Sequence, residues 1–254
     1  MEYVHAMRPI IKKAGDLVMS HFRGNLEINH KKDLSIATNI DLMSENILRN
    51  ELCVMLPGSG FIAEETKEIY IKEFTWVIDP IDGTKNFTRG LPYFCINVSL
   101  MHYDQVIAAT TYFPAVDDWF YAQKGCGAWR NGIRLNLEQK GWLDSGALVV
   151  VSDFRLRNCE MLGKIKSQLK SLEHGVRFRV NGAAALDLAY TASGSFDVVL
   201  FENLKWWDAA AGVLLVSEAG GMISQYDLSP VDRSFRTLIA GHKELCSLIL
   251  PALQ

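Results

Sequence analysis

Trp76-Val77-Ile78-Asp79-Pro80-Ile81-Asp82-Gly83-Thr84 is the stretch from which the rest of the chain can be read. Val77 and Ile78 belong to a short β-rich run that ends in two carboxylates three residues apart, with a proline turn between them. Both acids can therefore face one point. Proline cannot continue a ladder and Gly83 permits close approach of backbone to a ligand, so the N–H groups of Gly83 and Thr84 can point at an anion. Carboxylates beside an anion cup make chemical sense with a cation between them. Hard oxygen ligands, with no His or Cys in the cluster, select Mg²⁺ or Mn²⁺ over zinc. Phosphoryl transfer is the chemistry that uses such ions.

Each piece has a plainer reading. Asp-Pro and Asp-Gly are common turn signals, Glu64-Glu65 suits a solvated strand end, Asp208 suits a helix N-cap, and Thr38-x-x-Asp41 fits a capping box. What weighs against a chance set of caps is that these acids occur together, each beside an apolar strand or a helix start.

Working outward from the acidic stretch, Met7, Ile10, Ile11, Ala14, Leu17, Val18 and Phe22 follow a helical period ended by Gly24, with a kink or restart expected at Pro9. Ile40, Met43, Ile47, Leu48 and Leu52 mark a second helix, closed by Pro57 and Gly58. Residues 61–63, 76–78, 94–100, 106–112, 119–122 and 128–135 read as a series of strands forming an antiparallel sheet. After a strand at 148–151, helices at 158–172, 183–191, 209–219 and 243–250 alternate with strands at 196–201 and 237–240. This pattern predicts an α/β (α+β) protein with two sheets interleaved with helix layers. No repeat, low-complexity tract or linker marks a boundary, so residues 1–254 are expected to form a single domain.

Composition narrows the function. Twenty-six Lys plus Arg against 29 Asp plus Glu give a net charge of -3, which supplies no global field for nucleic acid or anionic membrane. The longest stretch free of Asp, Glu, Lys and Arg, from Gly90 to Tyr103, contains Pro92, Asn97 and His102 and is too short to span a bilayer. The start has no basic residue before an apolar run, so no signal peptide is expected. Five cysteines, at 53, 95, 126, 159 and 246, are an odd number without C-x-x-C and suit reduced thiols in a cytoplasm. A small molecule is the expected partner, with no membrane and no direct nucleic-acid binding.

Three motifs together resemble the inositol monophosphatase family of lithium-sensitive, Mg²⁺-dependent phosphomonoesterases. They are Phe61 to Glu65, Trp76 to Phe87, and Trp207-Asp208-Ala209-Ala210-Ala211-Gly212 running into Glu218-Ala219-Gly220-Gly221, with further agreement in Gly182 to Leu188. The resemblance covers nearly the whole chain and implies a layered αβαβα sandwich, a homodimer, and hydrolysis of inositol 1-phosphate or another small phosphorylated metabolite. It implies two or three Mg²⁺ ions, with Mn²⁺ possible: Glu64, Asp79 and the Ile81 carbonyl on one, Asp79, Asp82 and Asp208 on a second, and Glu64 aiding a third. It also implies that Thr84 and Asp41 orient the attacking water, with Glu64 among the catalytic residues, and that Asp82, Gly83, Thr84, Gly182, Ala184 and Glu202 contact substrate. Relatives within it handle fructose 1,6-bisphosphate, histidinol phosphate or 3'-phosphoadenosine nucleotides, and some take an added role in transcription or ribosome assembly.

The chain departs from typical members in three places. Ala63 replaces the usual Gly before the Glu pair, which costs little on an extended segment. Spacing alone does not assign the site lysine to Lys31 or Lys32. Glu202 stands six residues before Asp208 instead of seven, an offset that on a strand reverses the side chain and predicts loose substrate selectivity. Two look-alikes fail: an aspartyl-phosphate route needs its second acid two residues on, where Ile81 stands, and Gly58-x-Gly60-x-x-Ala63 follows a helix and precedes a strand, the reverse of a dinucleotide site.

Overall fold

The helical period at the start of the chain becomes α1 (Glu2–His21), and the second becomes α2 (Asn39–Met55), with a short antiparallel pair, β1 (Ile28–His30) and β2 (Ile36–Thr38), between them. The computed structural model describes residues 1–31, 35–66, 69–137, 146–152, 159–170 and 175–253. The restart expected at Pro9 does not occur. Pro9 and His5, whose carbonyl loses its intrahelical donor, are both exposed, so water can replace the missing bond and α1 runs through.

The β-rich middle is an eight-stranded sheet. Its strands are β3 (Gly60–Ala63), β4 (Ile69–Tyr70), β5 (Phe74–Asp82), β6 (Cys95–His102), β7 (Gln105–Phe113), β8 (Asp118–Gln123), β9 (Ala128–Arg130) and β10 (Ile133–Arg134), in spatial order β10-β9-β8-β7-β6-β5-β3-β4. All pairs are antiparallel except β3 with β5. Two corrections arise here. The expected strand over 128–135 is a hairpin, because Asn131 and Gly132 both take positive φ (49° and 83°), the geometry of a tight two-residue turn that Asn-Gly favours. The turn expected at Pro80 is instead a bulge: β5 runs on to Asp82, with the register against β6 shifting between Asp79 and Asp82. Ala63 lies on the extended β3, where a Cβ is accommodated.

The short helix α3 (Thr84–Thr88) follows β5. In the second half, β11 (Ala147–Val151), α4 (Cys159–Gln168), β12 (Val176–Arg179), α5 (Ala184–Ala192), β13 (Val198–Glu202), α6 (Trp206–Glu218), β14 (Met222–Ser224), β15 (Thr237–Gly241) and α7 (Lys243–Ile249) follow in turn. The ends of the helix expected over 158–172 lie outside the described residues. The second sheet has order β12-β11-β13-β15-β14, with β11 parallel to both β12 and β13. Strands β1, β2, β4, β12 and β14 carried no sequence expectation; they are two to four residues long and the whole of β1 is exposed, so no run of buried side chains announces them.

Alternation along the strands sorts side chains into layers. Trp76, Ile78, Val98 and Leu100 face α1 and α2, packing on Met7, Ile11, Ile40 and Leu48. Val77, Ala109 and Phe120 face the other way, onto Leu186 and Leu188 of α5 and Leu215 of α6. Those two helices are covered behind by Val199, Phe201 and Ala240 of the second sheet. Val149, Leu200 and Ile239 point outward to Ile165 of α4 and Leu245 of α7. The result is an αβαβα sandwich. Gly212 lets α6 lie against Leu188 of α5, since a Cβ there would stand 2.6 Å from Leu188 Cβ.

Candidate active site

Three elements deliver carboxylates to one place. The bulge in β5 brings Asp79 and Asp82 to the same side, and the first turn of α6 brings Asp208, so that ligand oxygens of the three lie within 4.8 Å of one another. Helix α6 begins three residues earlier than expected, which makes Asp208 its third residue and not its N-cap; its Oδ2 accepts from the Lys205 amide at 2.9 Å. Asp82 is held by the N-terminus of α5: Oδ1 accepts from the Ala184 amide at 3.2 Å, and Oδ2 from those of Ala185 and Leu186 at 2.9 and 3.3 Å. Asp79 Oδ1 accepts from the Ile81 amide at 3.1 Å.

Glu64 stands at the end of β3, where Lys31 Nζ donates to both Glu64 and Glu65 at 2.8 Å. Of the two candidate lysines, Lys31 is therefore at the site; Lys32 lies outside the described residues. The turn after Glu64 is fixed from below by the buried Glu45, which accepts from the Glu65 and Thr66 amides at 2.8 and 3.1 Å.

The capping reading of Thr38 and Asp41 holds, and it coexists with a place at the site. Asp41 Oδ2 accepts from the Thr38 amide at 2.8 Å and from its hydroxyl at 2.5 Å, which leaves Oδ1 to meet Thr84 Oγ1 at 3.1 Å. Thr84 Oγ1 also lies 2.9 Å from the Ile81 carbonyl oxygen. Asp41 is fully buried and, among the described residues, meets the site through Thr84. Gly83 turns the chain between β5 and α3 at φ 89°, wedged so closely that a Cβ would lie 3.0 Å from Ala183 Cβ and from the Tyr93 carbonyl oxygen.

A cavity of about 150 Å³ is lined by Glu64, Asp79, Ile81, Asp82, Thr84 and Asp208, together with Gly83 and Gly182. A second, of about 380 Å³, shares Asp82, Gly182 and Asp208 and adds Ala184, Asp187 and Glu202. Glu202 thus borders the pocket despite its offset. Strand β13 ends there and Asn203 takes a positive φ of 58°, so strict alternation does not extend through the segment. Residues to which the sequence assigned no role at the site include Lys85 and Ser35 at the first cavity and Cys95, whose Sγ lies 3.6 Å from Asp82 Oδ2. Asp187, part of a matching motif but given no role, is another; its Oδ1 accepts from Tyr93 Oη at 2.6 Å and Asn181 Nδ2 at 2.7 Å. These contacts join segments distant in sequence and carry no local pattern.

Electrostatics separate this cluster from ordinary surface acids. Burial and then the charge of Glu64 push Asp208 up to about 7. The same two causes raise Asp79 well above the usual carboxylate range; burial and then Asp208 do so for Asp82. Asp41 is pushed up to about 6, chiefly by burial. Among the described residues no Lys or Arg side chain is bonded to Asp79, Asp82 or Asp208. An acidic, oxygen-only cluster left without its own counter-charge fits hard divalent cations.

A layered αβαβα sandwich with this acidic pocket defines a phosphoric monoester hydrolase. The chain belongs to the inositol monophosphatase family, whose model matches residues 2–254. It is 34% identical to an inositol-1-monophosphatase of Caulobacter vibrioides over 90% of this chain and 91% of that one. It is 33% identical to the Nus factor SuhB of Escherichia coli, over 85% and 82% respectively. Among solved structures, the extragenic suppressor protein suhB of Bartonella henselae superposes with a TM-score of 0.88 at 29% identity, covering 100% of this chain and 99% of that one.

Proposed function

We propose that this protein hydrolyses small phosphate monoesters, inositol 1-phosphate first among them, with Mg²⁺ as its metal. The observation that carries the reading is the meeting of Asp79, Asp82 and Asp208 within 4.8 Å, with no bonded protein cation among the described residues. In this reading Glu64, Asp79 and the Ile81 carbonyl hold one ion, Asp79, Asp82 and Asp208 hold a second, and Glu64 aids a third. When bound, the ions neutralise the phosphoryl oxygens and the leaving alkoxide and lower the pKa of a water molecule.

The chain's own groups do the rest. The Thr84 hydroxyl has one proton, given to Asp41 Oδ1 or to the Ile81 carbonyl, so its oxygen lone pairs are free to accept a hydrogen bond from the attacking water and fix its direction. The amides of Gly83 and Thr84, at the start of α3 where intrahelical acceptors are lacking, bind phosphate oxygens. Gly182, Ala184 and Glu202 flank the alcohol in the larger cavity. The protein works as a single domain over 1–254, as a homodimer and in the cytoplasm; no helix among the described residues is long and apolar enough to cross a membrane.

A panel of phosphate esters assayed with Mg²⁺ tests this. Inositol 1-phosphate is expected to be hydrolysed, lithium to inhibit, and excess chelator to abolish turnover. Undiminished turnover in chelator would overturn the metal, and a steep preference for fructose 1,6-bisphosphate or a 3'-phosphoadenosine nucleotide would overturn the ester. The relatives named Nus factor SuhB favour a second, non-catalytic role in addition. Such a role would survive Asp79→Asn.

A further inference from the structure

Four side chains of β6, at positions 95, 97, 99 and 101, alternate onto the face that meets α5 and α6. Two of them grip the first turn of α6. Asn97 Nδ2 donates to the Trp207 carbonyl at 2.7 Å, and Trp206 Nε1 donates to Met101 Sδ at 3.2 Å. Asn97 is buried and sits directly opposite Asp79 in the β5–β6 ladder, while the carbonyl it binds belongs to the peptide that leads into Asp208. Its amide orientation is dictated by its partners: the Thr111 hydroxyl donates to Oδ1 at 2.7 Å, and only Nδ2 can donate to a carbonyl. One side chain therefore ties the strand carrying Asp79's ladder partner to the helix turn carrying Asp208.

We propose that Asn97 is a positioning residue for the divalent cation shared by Asp79, Asp82 and Asp208, setting the rotation of the first turn of α6 and hence the direction of the Asp208 carboxylate. The inference rests on the metal reading of the site given above. The physical basis is that, among the described residues, the one backbone amide bonded to the Asp208 carboxylate is that of Lys205, beside a side-chain contact with Asp79. Asp79 and Asp82, by contrast, share a continuous strand with its bulge, and Asp82 is further clasped by three amides of α5. Packing of Ala209, Ala210 and Leu215 holds the body of α6, whereas its first turn, which has no preceding turn to brace it, is pinned from outside the helix. Asn97 and Met101 are four residues apart on one strand and hold consecutive residues of that start, which fixes the rotation. Groups that orient ligand side chains without touching the ion commonly change metal affinity 10- to 100-fold when removed.

The test compares Asn97→Ala with Thr111→Val in the full chain. Both remove a buried hydrogen bond, but Thr111→Val leaves the Asn97–Trp207 contact in place. Mn²⁺ titrations followed by electron paramagnetic resonance count bound ions directly and report affinity without reference to turnover; thermal melts follow stability. The wild-type protein is expected to bind at least two ions. Asn97→Ala is expected to weaken one of them at least tenfold and to leave KM for the ester nearly unchanged at saturating metal. Thr111→Val is expected to lower the melting temperature while keeping both affinities within about twofold. Equal Mn²⁺ affinities in the two variants would overturn the assignment and make Asn97 a structural residue. If Asn97→Ala fails to fold, Asn97→Ser serves, since a serine keeps a polar group in the buried site but lacks the amide that reaches Trp207; wild-type affinity in that variant would overturn the proposal equally. Absence of Mn²⁺ binding by the wild-type protein would instead overturn the metal reading, and this inference with it.

Discussion

Two clusters of buried acid in the same eight-stranded sheet are built on opposite principles. At the start of β8, Asp118 is enclosed by its own partners: Arg130 Nε lies 3.0 and 3.1 Å from its two oxygens and Arg130 Nη2 lies 2.6 Å from Oδ2. Asn131 Nδ2 adds a bond at 2.9 Å and Tyr190 Oη one at 3.3 Å, while the guanidinium also lies over the rings of Phe120 and Tyr190. On β5, separated from β8 by β7 and β6, Asp79 and Asp82 are equally buried but meet a third acid where Asp118 meets an arginine. The fold can neutralise a buried carboxylate when it has no other use for it. That no such partner stands at Asp79 among the described residues fits a site that could take its counter-charge from solution.

The largest effect that could break this contrast is on turnover. Asp79→Asn removes the carboxylate common to both proposed ions, and kcat is expected to fall on the order of 10³-fold, the scale of losing a major electrostatic contribution. Steady-state rates at saturating Mg²⁺ measure it, and a fall of less than tenfold would place Asp79 with Asp118 as a structural acid.

Arg130→Met is the mirror experiment. It strands Asp118 in an apolar surrounding and is expected to cost about 2–3 kcal/mol in urea unfolding, somewhat less than a fully buried pair because the guanidinium is partly exposed. Its kcat should stay within about twofold of wild type. A large loss of turnover at unchanged stability would show that the two clusters communicate.

Thr84→Ala sharpens the comparison inside the site. If Thr84 orients water, kcat should drop roughly 10²-fold while KM barely moves. A KM rise at constant kcat would make it a phosphate anchor. Asp41→Asn, whose amide oxygen can still accept from Thr38, should keep the melting temperature and lose activity.

How far the sequence foretold these two clusters depended on how local each one is. Residues 74–84 form one strand and one turn, so the pairing of Asp79 with Asp82 could be read from a run of nine residues. Asp208 was legible as an acid at a helix start, but only the fold brings α6 against β6 and β5. The clasp of α5 amides on Asp82, the bridge from Lys31 to Glu64 and Glu65, and the Asn97 tie to Trp207 join residues with no common period. The hairpin at Asn131-Gly132 was different: its turn signal is strong, but apolar residues on both sides suggested one strand continuing through it. Glu202 shows the reverse case, where a strand rule was extended across a residue that leaves the strand.

The smallest expected effect is on stability. The Asp208 carboxyl is pushed from 3.8 up to about 7 in the folded chain, first by burial and then by Glu64, so between those limits the folded state binds more protons than the unfolded state. Stability of the metal-free protein must then fall as pH rises through that window, the opposite of the behaviour of a paired acid. Mg²⁺ should cancel the fall, since it binds the ionised folded form and not the unfolded chain. Asp208→Asn removes the charge while its amide oxygen can still accept from the Lys205 amide. In chelator at pH 8 this variant should therefore be more stable than wild type by about 1 kcal/mol, or roughly 2–4 °C in melting temperature; the gain is kept small because Asp208 is partly open to the cavity and its water. At pH 5, where the folded carboxyl is protonated but the unfolded one is still largely ionised, the gain should shrink to less than half, and it should vanish only below the unfolded value of 3.8. A variant less stable than wild type at both pH values would mean that the carboxylate is held by contacts within the protein, as Asp118 is, and that the cluster on β5 needs no cation from outside.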